Sequence, residues 1–440
     1  MSHVFPRASK SPPPMVSNGE GPYLFDKAGK SYLNCGDAAV SCLGHNDPHV
    51  TAAIKAQLDN VAFAHTGYFS SDAAEMLADK LAGAAPDGLD RVYFVSGGSE
   101  AMEAALKLAR QYVIEIGQPD RTRVIARRQS YHGNTLGALA TGGNAARRAP
   151  FAPMLIDVSH VSPCYAYRGQ EEGEKDASYV ERLIAELEAE IAALGAETVL
   201  AFVAEPVVGA TLGAVPPVAD YFARVRQVCD RHGILLIFDE VMCGMGRTGT
   251  LFAAEQYGTT PDICAIAKGL GAGYQPIGAM MCSAAIHDAI RDGSGFFQHG
   301  HTYLGHPVAC AAGLAVLERL LDQGVLERVK PLGDAVDRAL TDRFAQHPHV
   351  GDIRGVGLFR AIELVQSRDT KTPFDPAHLI HAKVKAAAFA EGLICYPMGG
   401  TVDGTHGDHI LLAPPFILED SDIDPMVDKL ARALEKVLRV

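Results

Sequence analysis

Between residues 90 and 285 the chain repeats one pattern, a short uninterrupted apolar run followed by an amphipathic stretch. The runs are Arg91 to Val95, Thr122 to Ala126, Thr198 to Ala204, Ile234 to Phe238, Ile263 to Ala267 and Ile277 to Cys282. Apolar residues at every position, rather than at alternate ones, predict strands buried on both faces. With helices between them they predict an α/β fold built on a mostly parallel sheet. Tyr179 to Leu194 is predicted helical, because Val180, Leu183, Ile184, Leu187 and Ile191 fall at helical spacing under an acidic outer face. The polar stretch 168–177 before it reads as a surface loop. Beyond it, His306 to Leu321 reads as a long apolar helix, and Tyr23 to Lys30 has hairpin character.

At 440 residues the chain exceeds one ordinary core. The expected division is a large domain over 63–318 and a smaller α+β domain built from both chain ends, 1–62 and 319–440. A formal charge of −13 without any basic block argues against nucleic acid and anionic membranes as partners. Nine scattered cysteines without a C-x-x-C pair read as buried thiols in a reducing compartment, and hence a cytoplasmic location. The first 22 residues are rich in Pro and Ser and lack an apolar core, so they read as a loose arm rather than a signal peptide. No apolar stretch is long enough to suggest a membrane helix.

The strand ends carry the chemistry. Lys268 closes the run Ile263 to Ala267, where desolvation lowers an ammonium pKa and lets the amine form a Schiff base with an aldehyde. Asp239 closes Ile234 to Phe238, and Glu205 follows Ala204. Val92 to Glu100 runs from a strand through Gly97, Gly98 and Ser99 into a strong helix former, the makings of an anion site at a helix N-terminus. The same residues also read as a tight turn with Ser99 as its cap. Tyr131, in Tyr131-His132-Gly133-Asn134-Thr135, offers a ring on which a planar cofactor could stack, although a core tyrosine before a helix-starting turn fits too. Ligands of open α/β sheets collect beyond the carboxyl ends of the strands, where Ser99, Glu205, Asp239 and Lys268 would meet.

Two other patterns point elsewhere. Gly244-Met245-Gly246-Arg247-Thr248-Gly249 matches the dinucleotide fingerprint G-x-G-x-x-G, but five residues separate it from its strand. These glycines are expected to shape a loop beside the site. His299, His301 and His306 lack a carboxylate cluster or a cysteine pair, so no metal is expected.

Taken in order, Gly44-His45, SGGSEAMEAALKLAR, YHGNT, AEPVVGA, IFDEVMCGMGRTG, AIAKGLGAGYQPIGA, HTYLGHP and RGVGLFRAIEL resemble the class III pyridoxal-phosphate aminotransferases over nearly the whole chain. That resemblance implies fold type I and pyridoxal 5'-phosphate as cofactor. It implies that Lys268 holds the cofactor's aldehyde and that Asp239 pairs with its ring nitrogen. Val241 and Tyr131 would sandwich the ring, and Gly98 and Ser99 would hold the phosphate. Thr302 would reach the phosphate from the neighbouring subunit of a homodimer. Glu205 would lie near the cofactor and gate the substrate pocket, which Tyr68 and Phe69 would wall.

The implied reaction is ping-pong transfer from an amine or ω-amino acid to a small 2-oxo acid such as pyruvate. A decarboxylating transaminase and an aminomutase or racemase are the alternatives on the same scaffold. One departure bears on the donor. Many members carry an arginine before the Pro-Pro or Pro-Ser near the C-terminus, whereas this chain has His409-Ile410-Leu411-Leu412-Ala413-Pro414-Pro415. A bidentate carboxylate clamp is absent there.

Overall fold

The computed structural model describes residues 3–8 and 12–438. Its central sheet has seven strands in the spatial order Arg91–Val95, Gly278–Cys282, Ile263–Ile266, Leu235–Asp239, Val199–Ala204, Arg123–Arg127 and Ser159–Val161. Only Gly278–Cys282 runs against the rest, antiparallel to both of its neighbours. The fold is therefore α/β with a mostly parallel sheet, and the four strands from Val199–Ala204 to Gly278–Cys282 are buried at every position. That burial is why their sequences show no alternation.

All six expected strands are present, Arg91–Val95 with the expected bounds and the others with one or both ends shifted by a residue. The seventh, Ser159–Val161, is a three-residue edge strand with too little sequence to register as an apolar run. The helix around Tyr179 begins earlier than its apolar spacing indicates, at Asp176, whose carboxylate in the first turn suits the helix dipole. Ala166–Gly169, which overlaps the start of the expected loop, forms a single helical turn. Pro307–Leu317 is helical and passes into a wider π turn over Glu318–Asp322.

The loose arm also needs correction. Residues 1–2 and 9–11 lie outside the described residues, but Val16–Glu20 is a strand paired antiparallel with Tyr23–Asp26. Tyr23–Asp26 pairs in turn with Ser31–Asn34, which lies parallel to Leu393–Ile394. The Pro-Pro-Pro at 12–14 masked this strand, since proline breaks the pattern just before the pairing starts. A third sheet joins Val350–Val356, Phe359–Leu364, Asp408–Leu412 and Tyr396–Gly399.

A buried ionic cluster fixes this last sheet to the loops of the central one. Arg354 donates to Glu363 at 2.7 Å, to Asp352 at 2.8 Å and to the carbonyls of Gly213 and Leu212. Glu363 also accepts from Arg168 at 2.7 Å and from the Tyr165 hydroxyl. Breaking one partner of a buried set of this kind costs about 3–5 kcal/mol, so the cluster resists separation of the two sheets.

Candidate active site

Six of the seven strands of the central sheet end at one edge, and a cavity of about 350 Å³ opens there. Its wall takes Ser96 to Ser99 after Arg91–Val95, Tyr131 to Gly133 after Arg123–Arg127, Glu205, Asp239, Val241 and Met242, and Ala267 and Lys268. Because Gly278–Cys282 runs the other way, it is the residues before it, Gln275, Pro276 and Ile277, that reach the same edge. Val40 closes the wall from the N-terminal segment.

Asp239 is the last residue of its strand and is buried. Its Oδ1 accepts the Val241 amide at 3.0 Å, and its Oδ2 meets His132 Nδ1 at 2.8 Å. The imidazole is buried, with Nε2 lacking a partner. These bonds lock the carboxylate's orientation toward the cavity, and an acceptor-only group so held favours a protonated ring nitrogen opposite it.

Lys268 lines the same cavity, with φ at +45°. Non-glycine residues in that region cost about 1–3 kcal/mol and persist where the surroundings over-determine them. Here the buried strand before Lys268 and the turn after it supply the constraint, since Gly271 and Ala272 both donate to its carbonyl. Burial pushes the ammonium pKa down, against the opposing pull of the Asp239 and Glu205 carboxylates. The side chain has no hydrogen bond or ion pair among the described residues, which leaves the amine available to a ligand.

The other end of the cavity is an anion cradle. The helix Gly98–Glu115 starts with no side-chain cap, so its first amides face outward. Ser99 Oγ accepts the Asn134 amide at 3.0 Å and so retains its hydroxyl proton for a ligand. Gly98 leaves no room for a side chain, because a Cβ there would meet Val241 Cγ1 at 2.6 Å. Gly98→Ala is accordingly expected to displace Val241 and the helix start together, weakening binding of a phosphate-bearing cofactor by about ten-fold or more, as the loss of a charge-assisted hydrogen bond would. Equilibrium dialysis measures it, and unchanged retention would detach Gly98 from the cradle.

Tyr131 is half-buried in the wall, with the Arg147 guanidinium 4.7 Å over its ring. Glu205 accepts the Tyr131 amide at 3.1 Å on one oxygen and the Gly209 amide at 2.9 Å on the other. Burial raises the Glu205 pKa, with His132 and the two amides pulling against it.

Seven of the ten candidate residues thus share one cavity: Gly98, Ser99, Tyr131, Glu205, Asp239, Val241 and Lys268. Three do not. Tyr68 and Phe69 are 84% and 68% exposed and line none of it within one chain, and Thr302 is likewise exposed. The glycines at 244, 246 and 249 leave the site. Gly246 packs on Phe416 and Leu326, and Gly249 packs on Lys330, so they dock the C-terminal segment while Val241 and Met242 ahead of them line the cavity. His299 and His301 lie edge to face at 4.9 Å, and the His306 ring sits against Phe63 and Tyr303.

His132, Met242, Gln275 and Val40 were not singled out from the sequence. Only His132 left a signal, by standing next to Tyr131.

A lysine and a carboxylate lining one cavity, together with an uncapped helix N-terminus, are the fittings of one cofactor, and the comparisons agree. The model of the family described as aminotransferase class-III matches residues 4–434. The chain is a class III aminotransferase. An uncharacterized aminotransferase of Schizosaccharomyces pombe is 42% identical over 98% of this chain and 95% of its own length. Among solved structures, a thermostable (S)-enantioselective omega-transaminase from Thermomicrobium roseum is similar at a TM-score of 0.92 and 37% identity, covering 99% of this chain and 96% of that one. The PMP-bound form of an aminotransferase from Vibrio fluvialis is similar at a TM-score of 0.90 and 33% identity, over 97% and 93% of the two chains.

This aminotransferase has fold type I and depends on pyridoxal phosphate. Its own geometry suits the cofactor: a cavity within the range of about 300–1,000 Å³ typical of small-molecule sites, a free buried amine, an oriented carboxylate and a bare helix start. Among the described residues, no helix is long and apolar enough to cross a membrane.

Proposed function

We propose that this aminotransferase moves an amino group from an amine or ω-amino acid to a small 2-oxo acid such as pyruvate, in a ping-pong cycle of two half-reactions. The observation that carries the reading lies in the strand Asp408–Leu412. Ile410, Leu411 and Leu412 are completely buried and Ala413 nearly so, so no guanidinium stands before Pro414-Pro415 to grip a donor's α-carboxylate. Similarity to the Thermomicrobium roseum omega-transaminase supports the same donor class.

Pyridoxal phosphate, when bound, supplies an electrophilic aldehyde and a ring that draws electrons from the donor's reacting carbon. In our assignment Lys268 Nζ holds the aldehyde at rest, then takes the proton from the donor carbon and returns it, as general base and acid in turn. Its lowered pKa suits that work, because the base must shed its proton near neutral pH. Asp239 would hold a proton on the ring nitrogen and is itself oriented by His132 and the Val241 amide. Tyr131 and Val241 would bracket the ring, while Gly98 and Ser99 would take the phosphate. Glu205 stands at the substrate side as a gate, braced by two amides.

The assembly we propose is a homodimer with shared active sites. Exposed Phe63, Tyr68, Phe69, Met154, Phe296 and Tyr303 support it, being more apolar surface than a lone chain needs. In such a dimer Thr302 would reach the neighbouring subunit's phosphate, and Tyr68 and Phe69 would wall a pocket. The small domain is read from residues 1–62 and 319–440, with 63–318 as the large one. The parallel pairing of Ser31–Asn34 with Leu393–Ile394 supports that division. Nine free, buried cysteines support a cytoplasmic location.

Single-turnover spectroscopy tests the reaction. Mixing the holoenzyme with a panel of amines and ω-amino acids should bleach the cofactor's visible band, and pyruvate or 2-oxoglutarate should restore it. Release of carbon dioxide, or a rearranged or racemised donor that has kept its nitrogen, would replace this reading with one of its alternatives.

A further inference from the structure

Arg147 is the group beside the active site that the chemistry above leaves unused. It belongs to the short turn Ala145–Arg148, and it is half-buried. Its guanidinium lies 4.7 Å over the ring of Tyr131 and has no hydrogen bond or ion pair among the described residues. Three nearby arginines are engaged: Arg128 bonds Glu186, Arg127 bonds the Glu205 carbonyl and Arg168 bonds Glu363, while the adjacent Arg148 has an unpartnered buried Nε and no ring contact with Tyr131. In a chain of net charge −13, an unpaired guanidinium against the wall of a cavity stands out.

The turn that carries Arg147 is firmly seated. Asn144 accepts the Arg147 amide at 3.1 Å, and its side-chain nitrogen donates to Gln129 at 3.2 Å. Gln129 in turn donates to the Gly400 carbonyl at 2.6 Å, and both amide side chains are buried. The guanidinium is therefore held near one place by its backbone and by the Tyr131 ring, with all five of its N–H donors open. A planar fork of donors in that condition is matched to a carboxylate. Arg7 adds a second positive charge felt at the Tyr131 hydroxyl.

We propose that Arg147 recognises the carboxylate of the 2-oxo acid acceptor beside Tyr131, in place of the arginine missing before Pro414. The inference rests on the aminotransferase reading above and names the acceptor's carboxylate as what this residue selects. Arg147 touches no reacting atom; it is a specificity-determining residue.

The test compares two acceptors of similar size with 1-phenylethylamine as a neutral donor, pyruvate with a carboxylate and propanal without one. Arg147→Gln is expected to raise KM for pyruvate by about ten-fold to a hundred-fold, the range of a charge-assisted hydrogen bond. KM for propanal and the cofactor's visible band should stay unchanged, and Arg147→Lys should recover part of the loss. Equal losses with both acceptors, or a shifted cofactor band, would make Arg147 a brace for Tyr131 and overturn the proposal. Should the wild-type enzyme accept an amino group onto neither compound, the proposed function fails instead. Calorimetric titration of the holoenzyme with propionate still reads the grip: weaker binding to Arg147→Gln supports it, and equal binding to both proteins overturns it.

Discussion

Replacing Lys268 with alanine is expected to cut transamination by about ten-thousand-fold or more, the upper end of what a positioned general acid and base contributes, while the protein stays folded. The fold should tolerate the change because the amine has no protein partner to lose. The backbone strain at φ +45° is borne equally by alanine. Cofactor should still enter, held by the helix start and the Asp239 side of the cavity. Borohydride treatment distinguishes the outcomes, since it should fix the cofactor to the wild-type chain and not to the variant. Cofactor fixed to the alanine variant would move the role proposed for Lys268 to another amine.

Asp239→Asn is expected to have the second-largest effect. The substitution keeps the shape and one acceptor oxygen, so either the Val241 amide or His132 Nδ1 remains served, and melting should fall only modestly. What is lost is the negative charge. Removing one partner of a buried ion pair costs about 3–5 kcal/mol, so a drop of roughly a hundred-fold to several-thousand-fold in the chemical step follows. Stopped-flow bleaching by an amine donor measures that step directly. A near-normal rate would mean that the ring nitrogen needs no counter-charge here.

The two residues on which these experiments turn were legible in the sequence for a physical reason. Parallel strands buried on both faces read as unbroken apolar runs, and a charged residue that closes such a run must lie at the sheet edge. Lys268 and Asp239 each do so. His132 was not legible in the same way. Its partner Asp239 is 107 residues away, and only the folded sheet brings the Arg123–Arg127 and Leu235–Asp239 strand ends close enough for the bond. Gln275 was hidden by the reversed strand Gly278–Cys282, since a reader assuming parallel order looks for ligands after a strand and not before it.

The glycines at 244 to 249 were read as a loop rather than a dinucleotide site, because five residues separate them from their strand. A spacing associated with phosphates serves instead to let backbone approach Phe416, Leu326 and Lys330, because glycine marks close approach of any kind. The strand Val16–Glu20 was lost behind three prolines, although it finds a partner in the hairpin that the sequence did reveal. Thr302, Tyr68 and Phe69 belong to a third kind, exposed side chains that stand outside the cavity.

Apart from Val40, the described residues of the cavity wall all come from the stretch between Ser96 and Ile277. Sequence drift at either end of the gene therefore touches the cavity wall only at Val40 among the described residues, so the ends can diverge while the wall stays intact.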